Sequence, residues 1–295
     1  MRWTPTLAAV LALLVAGGVA ACGGDDPTVQ PAEQQPSEQQ PTGATESVHH
    51  IHGLGVDPRR GTLYVATHTG LFEAARGDQR MRRIGDSAQD IMGFSVVGAE
   101  RFIGSGHPDP NDTSSPPNLG LIESRDGGKT WKNISLLGEA DFHVLHSSGG
   151  RIYGYDGTQG RLMVSRDGGR RWRQRTLPAA IFDLAVDPRD PDRIVASTER
   201  GVFSSTNAGQ GWRPLRDDTA GLLAWPAADQ LYLVDGQGQL HRSGDGGRQW
   251  RPAGSIGGQP AAFIAHQSEL YAALADSTVK RSTDGGATWT VRATP

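Results

Sequence analysis

The chain has 295 residues, a net charge of −3, 40 glycines and a single cysteine. That balance offers no basic face for nucleic acid, so nucleic-acid partners are set aside. A lone cysteine cannot close an internal disulfide, so whatever Cys22 does lies outside the folding of the chain.

Residues 1–21 read as a secretory signal. Thr6 to Ala21 is a 16-residue apolar run ending in small residues, short for a bilayer span and placed behind a single arginine. The tetrapeptide Val19-Ala20-Ala21-Cys22 resembles a bacterial lipobox. The resemblance implies that Cys22 becomes the lipidated first residue of an extracytoplasmic protein held on the outer side of the bacterial cell membrane. Residues 22–46 then form a linker: Gly23 to Thr45 is Pro, Gln, Glu and Thr with almost nothing to bury, a disordered tether. The folded part, residues 47–295, opens with "SVHHIHGLG", which holds three of the nine histidines.

The remainder is periodic. "SRDGGKTW" (Ser124 to Trp131) recurs as "SRDGGRRW", "STNAGQGW", "SGDGGRQW" and "STDGGATW". The third positions, Asp126, Asp167, Asn207, Asp245 and Asp284, stand 41, 40, 38 and 39 residues apart. A period near 40 with short alternating strands and no helical pattern predicts a β-propeller, with one four-stranded blade per repeat. The octapeptide has the chemistry of a turn. The Asp or Asn oxygen accepts backbone N–H groups, the glycines supply positive φ, the hydroxyl adds a bond, and the Trp is an apolar plug. These aspartates therefore read as structural. A preceding segment, "HHIHGLGV" to "MRRIG", fits a first blade with a decayed turn at Ala75 to Arg82. The count is six blades, with seven the alternative if one repeat is more irregular.

The pattern S/T-x-D-x-G-x-x-W resembles the Asp-box of bacterial sialidases, sortilin-type propellers and photosystem assembly factors, and the likeness runs over Ser47 to Thr294. The opening "HHIHGLGVDPRRGTLYVATHTGLF" resembles bacterial envelope lipoproteins catalogued as glycosyl hydrolases or sialidase-like proteins. A sialidase mechanism would need an arginine triad and a Tyr–Glu pair. Here the arginines fall at the opposite end from the histidines, the tyrosines sit on second strands, and no "RIP" motif precedes the first box.

In a propeller the first strand of each blade lines the central channel. Aligning the six inner strands places His52, Met92, His143, Asp183, Ala224 and Phe263 at equivalent positions, with His50, Asp90 and Asp141 two residues earlier at the channel mouth. The loops after second strands add His68 and His107 at the same end, and the long insertion His107 to Asn118 overhangs it. Two chemistries compete for this set. His50, His52, His68, His107, His143 and Met92 suit a transition metal, copper or zinc, because imidazole and thioether are softer donors than oxygen. Asp90, Asp141 and Asp183 would instead supply the paired carboxylates of a glycosidase. The plainer reading is a polar channel that holds ordered water.

The resulting expectation is a monomeric, lipid-anchored envelope propeller that binds a metal, glycan or small molecule at its channel mouth in an accessory role. A glycoside hydrolase is the alternative, and a scaffold for another envelope protein is a third.

Overall fold

The computed structural model describes Val48 and residues 50–295. The signal segment, Cys22, the linker and His49 lie outside the described residues. The fold is a six-bladed β-propeller. It has six antiparallel four-stranded sheets, each built from four consecutive strands, and no helix among the described residues. The inner strands are Ile51–Val56, Asp90–Gly98, Phe142–Ser148, Ile181–Val186, Gly221–Ala227 and Pro260–His266. Each contacts the next, and the sixth contacts the first, so the ring is closed.

The core follows from sheets packed face to face. Six apolar clusters are present, each straddling one interface between neighbouring blades. Leu121, Phe142 and Leu145 join blades two and three, for example, while Tyr153, Leu184 and Ile194 join blades three and four. Inner strands approach so closely that a Cβ on Gly93 would meet the Phe142 carbonyl oxygen at 2.3 Å.

The octapeptide turns are alike atom for atom. The Oγ of Ser124, Ser165, Ser205, Ser243 and Ser282 accepts the backbone N–H of the fifth residue at 2.8–2.9 Å. The same hydroxyl donates to Oδ1 of the third residue at 2.8–3.0 Å. That oxygen in turn accepts the N–H of the seventh residue, Thr130 at 3.0 Å and Arg171 at 2.9 Å. The fifth residue is always glycine at positive φ and sits against the preceding blade: a Cβ on Gly169 would lie 2.0 Å from Leu121 Cδ2. The Trp of each turn packs into that same interface, Trp131 between blades one and two and Trp172 between two and three.

Blade one has no such turn, and the interface between blades six and one closes differently. Thr294 N donates to Gln79 O at 2.7 Å, Met81 N donates to Thr294 O at 2.9 Å, and Met81 occupies the apolar cluster. The Arg292 guanidinium adds bonds to the carbonyls of Ala74, Ala75 and Asp78.

Ser165→Ala leaves the buried Gly169 N–H without an acceptor inside an interface. It should cost about 1–3 kcal/mol. The denaturant midpoint should fall with an unchanged m-value, and an unchanged midpoint would mean that the turn does not hold the interface.

Candidate site at the channel mouth

The mouth is shaped by a repeated irregularity. In five inner strands one residue is squeezed out of the ladder as a β-bulge: His52, Met92, His143, Phe182 and Ala261. His52, Met92, His143, Phe182, Leu222 and Ala261 all line one cavity of about 190 Å³. The equivalence expected from sequence holds for blades one to three and shifts in the other three. Phe182 stands where Asp183 was expected, Leu222 where Ala224 was, and Ala261 where Phe263 was. The mouth is therefore polar on one side and apolar on the other, with Phe182 54% exposed.

Asp183 is turned into the fold. Its carboxylate accepts the backbone N–H of Leu223 at 2.7 Å and of Leu184 at 2.8 Å, and it lies 3.3 Å from His146 Nε2. Those bonds commit it to joining blades three, four and five. His146 was not singled out from the sequence. The bulge at His143 resets the alternation: counting from His143 turns His146 away from blade four, whereas counting from Val144, which packs between blades three and four, places His146 on that same side, against Asp183.

Around the polar half the side chains form two groups. In the first, the His68 Nδ1–H donates to Asp90 Oδ2 at 2.7 Å, and His52 Nε2 faces Asp90 Oδ1 at 3.9 Å. The His52 and His68 rings meet edge to face at 4.2 Å, with His50 a further 5.3 Å from His68. One donor atom from each of His52, His68 and Asp90 lies within 4.8 Å of the other two. His52 Nε2 and Asp90 Oδ1 are buried and have no hydrogen-bond partner. Burial, reinforced by the charge of His68, pushes the His52 imidazole down to about 4 against the opposing pull of Asp90. His50 is held at a φ of 49°, a left-handed conformation that costs a non-glycine residue about 1–2 kcal/mol.

In the second group, His143 Nε2–H donates to Asp141 Oδ2 at 2.8 Å, and His107 Nε2 lies 3.5 Å from the same oxygen. Asp141 is 2% exposed. Burial works to raise its carboxyl, but the His143 hydrogen bond and the charges of His143 and His107 outweigh that and hold it below the usual range. The bond to Asp141 raises His143 above the usual imidazole value. Met92 lines the same cavity as His52 and His143. Asp156, at the end of the second strand of blade three, is fully buried in a bond to Arg161 at 2.7 Å. The insertion carrying His107 is pinned where Asp109 Oδ2 accepts the Ala88 N–H at 2.6 Å.

No family model matches the sequence. Among curated proteins, the dispase autolysis-inducing protein of Streptomyces mobaraensis is 29% identical over 125 residues, 42% of this chain and 32% of that one. Among solved structures, an ancestral GH74 enzyme superposes with a TM-score of 0.56 at 13% identity, covering 84% of this chain and 39% of the other. The GH74 xyloglucanase of Xanthomonas campestris gives 0.55 at 17% identity, over 83% and 46%. YCF48 bound to a D1 peptide gives 0.51 at 16% identity, over 84% and 83%. At these identities the likeness is one of fold. The chain spans about a third of the curated relative and less than half of either GH74 chain.

With metals removed by chelator, folding stability should rise as pH climbs from about 4 to 6.5. Over that window unfolded His52 binds a proton that the folded protein excludes. The full effect is at most about 3 to 4 kcal/mol, from about 2.5 pH units at 1.36 kcal/mol per unit. Denaturation of His52→Gln across this range should give a flatter profile. A slope equal to that of the parent protein would refute the buried neutral imidazole.

Proposed function

We propose that this chain is an envelope-anchored accessory protein whose propeller binds a transition-metal ion at the channel mouth through His52, His68 and Asp90. One observation carries the reading: His52 Nε2 and Asp90 Oδ1, both buried and unpartnered, face each other at 3.9 Å. Buried polar atoms without partners are costly, and here two electron-pair donors are turned toward one point. A cation satisfies both at once, with His68 completing the set. Two imidazoles and a carboxylate suit zinc or copper, and three protein ligands leave a coordination position open for a further group. The apolar half of the mouth, Phe182 and Leu222, would lie against whatever occupies that position.

Titration of zinc into the full-length chain should show binding that weakens about tenfold or more in His52→Ala and in His68→Ala. If chelated and zinc-loaded proteins are indistinguishable, the reading fails. The second reading, a glycoside hydrolase, is favoured by Asp90 and Asp141, each of which keeps one buried oxygen without a partner. Turnover on a panel of glycans, lost in Asp90→Asn or Asp141→Asn with folding intact, would establish it in place of the first.

The anchoring part of the proposal rests on Val19-Ala20-Ala21-Cys22 and on the polar linker behind it. Cys22→Ser should move the protein from the membrane fraction of the producing cell to its soluble fraction. Retention of the variant on membranes would refute lipid attachment at Cys22.

A further inference from the structure

The two groups of side chains at the mouth are related by the propeller repeat. The first takes the bulge residue of blade one (His52), the residue after its second strand (His68), and the residue two before the bulge of blade two (Asp90). One blade further on, the same three positions are Met92, His107 and Asp141. The registers establish this: Ile51 pairs with Thr67 and Ile91 with Gly106, which aligns His68 with His107. Bulges at Met92 and His143 align Asp90 with Asp141.

The second triad has its own unmet bonding. His107 Nδ1 lies 2.8 Å from the Pro117 carbonyl oxygen, which can only accept, so the proton sits on Nδ1. A neutral His107 therefore turns the bare lone pair of Nε2 toward Asp141, 3.5 Å from Oδ2. Oδ2 is already occupied by His143 at 2.8 Å and by Thr158 Oγ1 at 3.4 Å. Oδ1 of this carboxylate is buried with no partner. Lone pair against carboxylate is repulsive unless a proton or a metal cation stands between them, and a metal ion there also meets the unpartnered Oδ1.

We propose that Met92, His107 and Asp141 form a second transition-metal site, one blade step from the first, with His143 positioning the Asp141 carboxylate. His143 is itself held in place: a Cβ on Gly157 would meet its Nδ1 at 2.7 Å, so the ring lies flush on that glycine. The thioether at the position that His52 holds in the first triad makes this the softer of the two sites, and monovalent copper its preferred ion. The site stands on its own donors and does not depend on occupancy of the first.

Equilibrium binding to the full-length chain, read as ions per chain, tests the assignment, with zinc chloride and chelator-buffered copper(I) as probes. The parent protein should hold two ions. His107→Gln with Asp141→Asn should hold one, and His52→Ala with His68→Ala should also hold one. Met92→Leu should weaken copper(I) binding by tenfold or more in the His52→Ala, His68→Ala background, where only the second site remains. Because Asp141 is buried, His107→Gln alone, at a half-exposed position, serves as the variant that folds. A parent protein that holds one ion, abolished by either double variant, means one shared centre and overturns the proposal. So does a parent protein whose one ion is insensitive to His107 and Asp141. A single ion sensitive to His107 and Asp141 but not to His52 would sink the first site and leave this one standing.

Discussion

The structure depends on the docking of each octapeptide turn against the blade before it. A propeller blade is a four-stranded sheet that cannot bury both faces alone, so stability comes from the interfaces between blades. The turn serves the interface twice. Its serine hydroxyl, fully enclosed, spends both its donor and its acceptor capacity within the loop, so a tight turn can be buried without orphaned N–H groups. Its fifth residue brings bare backbone against a leucine of the neighbouring blade, an approach that any Cβ would block. The tryptophan then fills the space beside that contact. Blade one has neither serine nor tryptophan in this role. Paired backbone between residues 79–81 and Thr294, together with the Arg292 guanidinium, does the work there.

Rigid interfaces fix the inner strands, and the inner strands fix the mouth. A bulge at the same place in five of six inner strands takes one side chain out of the ladder and turns it over the channel. A repeated backbone thus offers six equivalent positions, which the chain fills unequally: His, Met and His on one side, Phe, Leu and Ala on the other. The histidines at the ends of second strands reach across blade boundaries, so His68, just past the second strand of blade one, meets Asp90 of blade two, and His107, the last residue of the second strand of blade two, approaches Asp141 of blade three. The polar groups belong to interfaces between blades rather than to single blades.

Much of this was legible in the residues. Five octapeptides at even spacing specify the architecture, because every position in the motif answers a bonding requirement. The count of six, with seven left open, needed the segment before them, and the structure has six sheets. The gathering of His52, Met92, His143, His68 and His107 at one mouth followed from the same alignment. The alignment slipped where a bulge adds a residue that no local signal marks. Phe182 and Asp183 are adjacent, and in a strand one step reverses which faces the channel. A phenylalanine also reads as core, so nothing in the sequence singled out the one that is most exposed. His146 escaped for the same reason, since the bulge at His143 inverts the parity of everything after it. The division of the polar set into two triads depends on which oxygen of each carboxylate is already bonded, and that is visible only in coordinates.

The two triads differ in what holds their carboxylate. Asp90 is gripped by His68, itself a member of the donor set, so ligand and brace are the same residue. Asp141 is gripped by His143, which lies outside the repeat-related triad and rests against Gly157. In both triads the histidine spends Nδ1 on its hydrogen bond, His68 on Asp90 and His107 on the Pro117 carbonyl, and keeps Nε2 as the electron-pair donor. Repetition supplied the same three positions twice, and the differing braces make one a yielding set of donors and the other a fixed one. A fixed carboxylate with an unpartnered oxygen has fewer ways to satisfy itself by moving, and that places the stronger demand for a cation on Asp141.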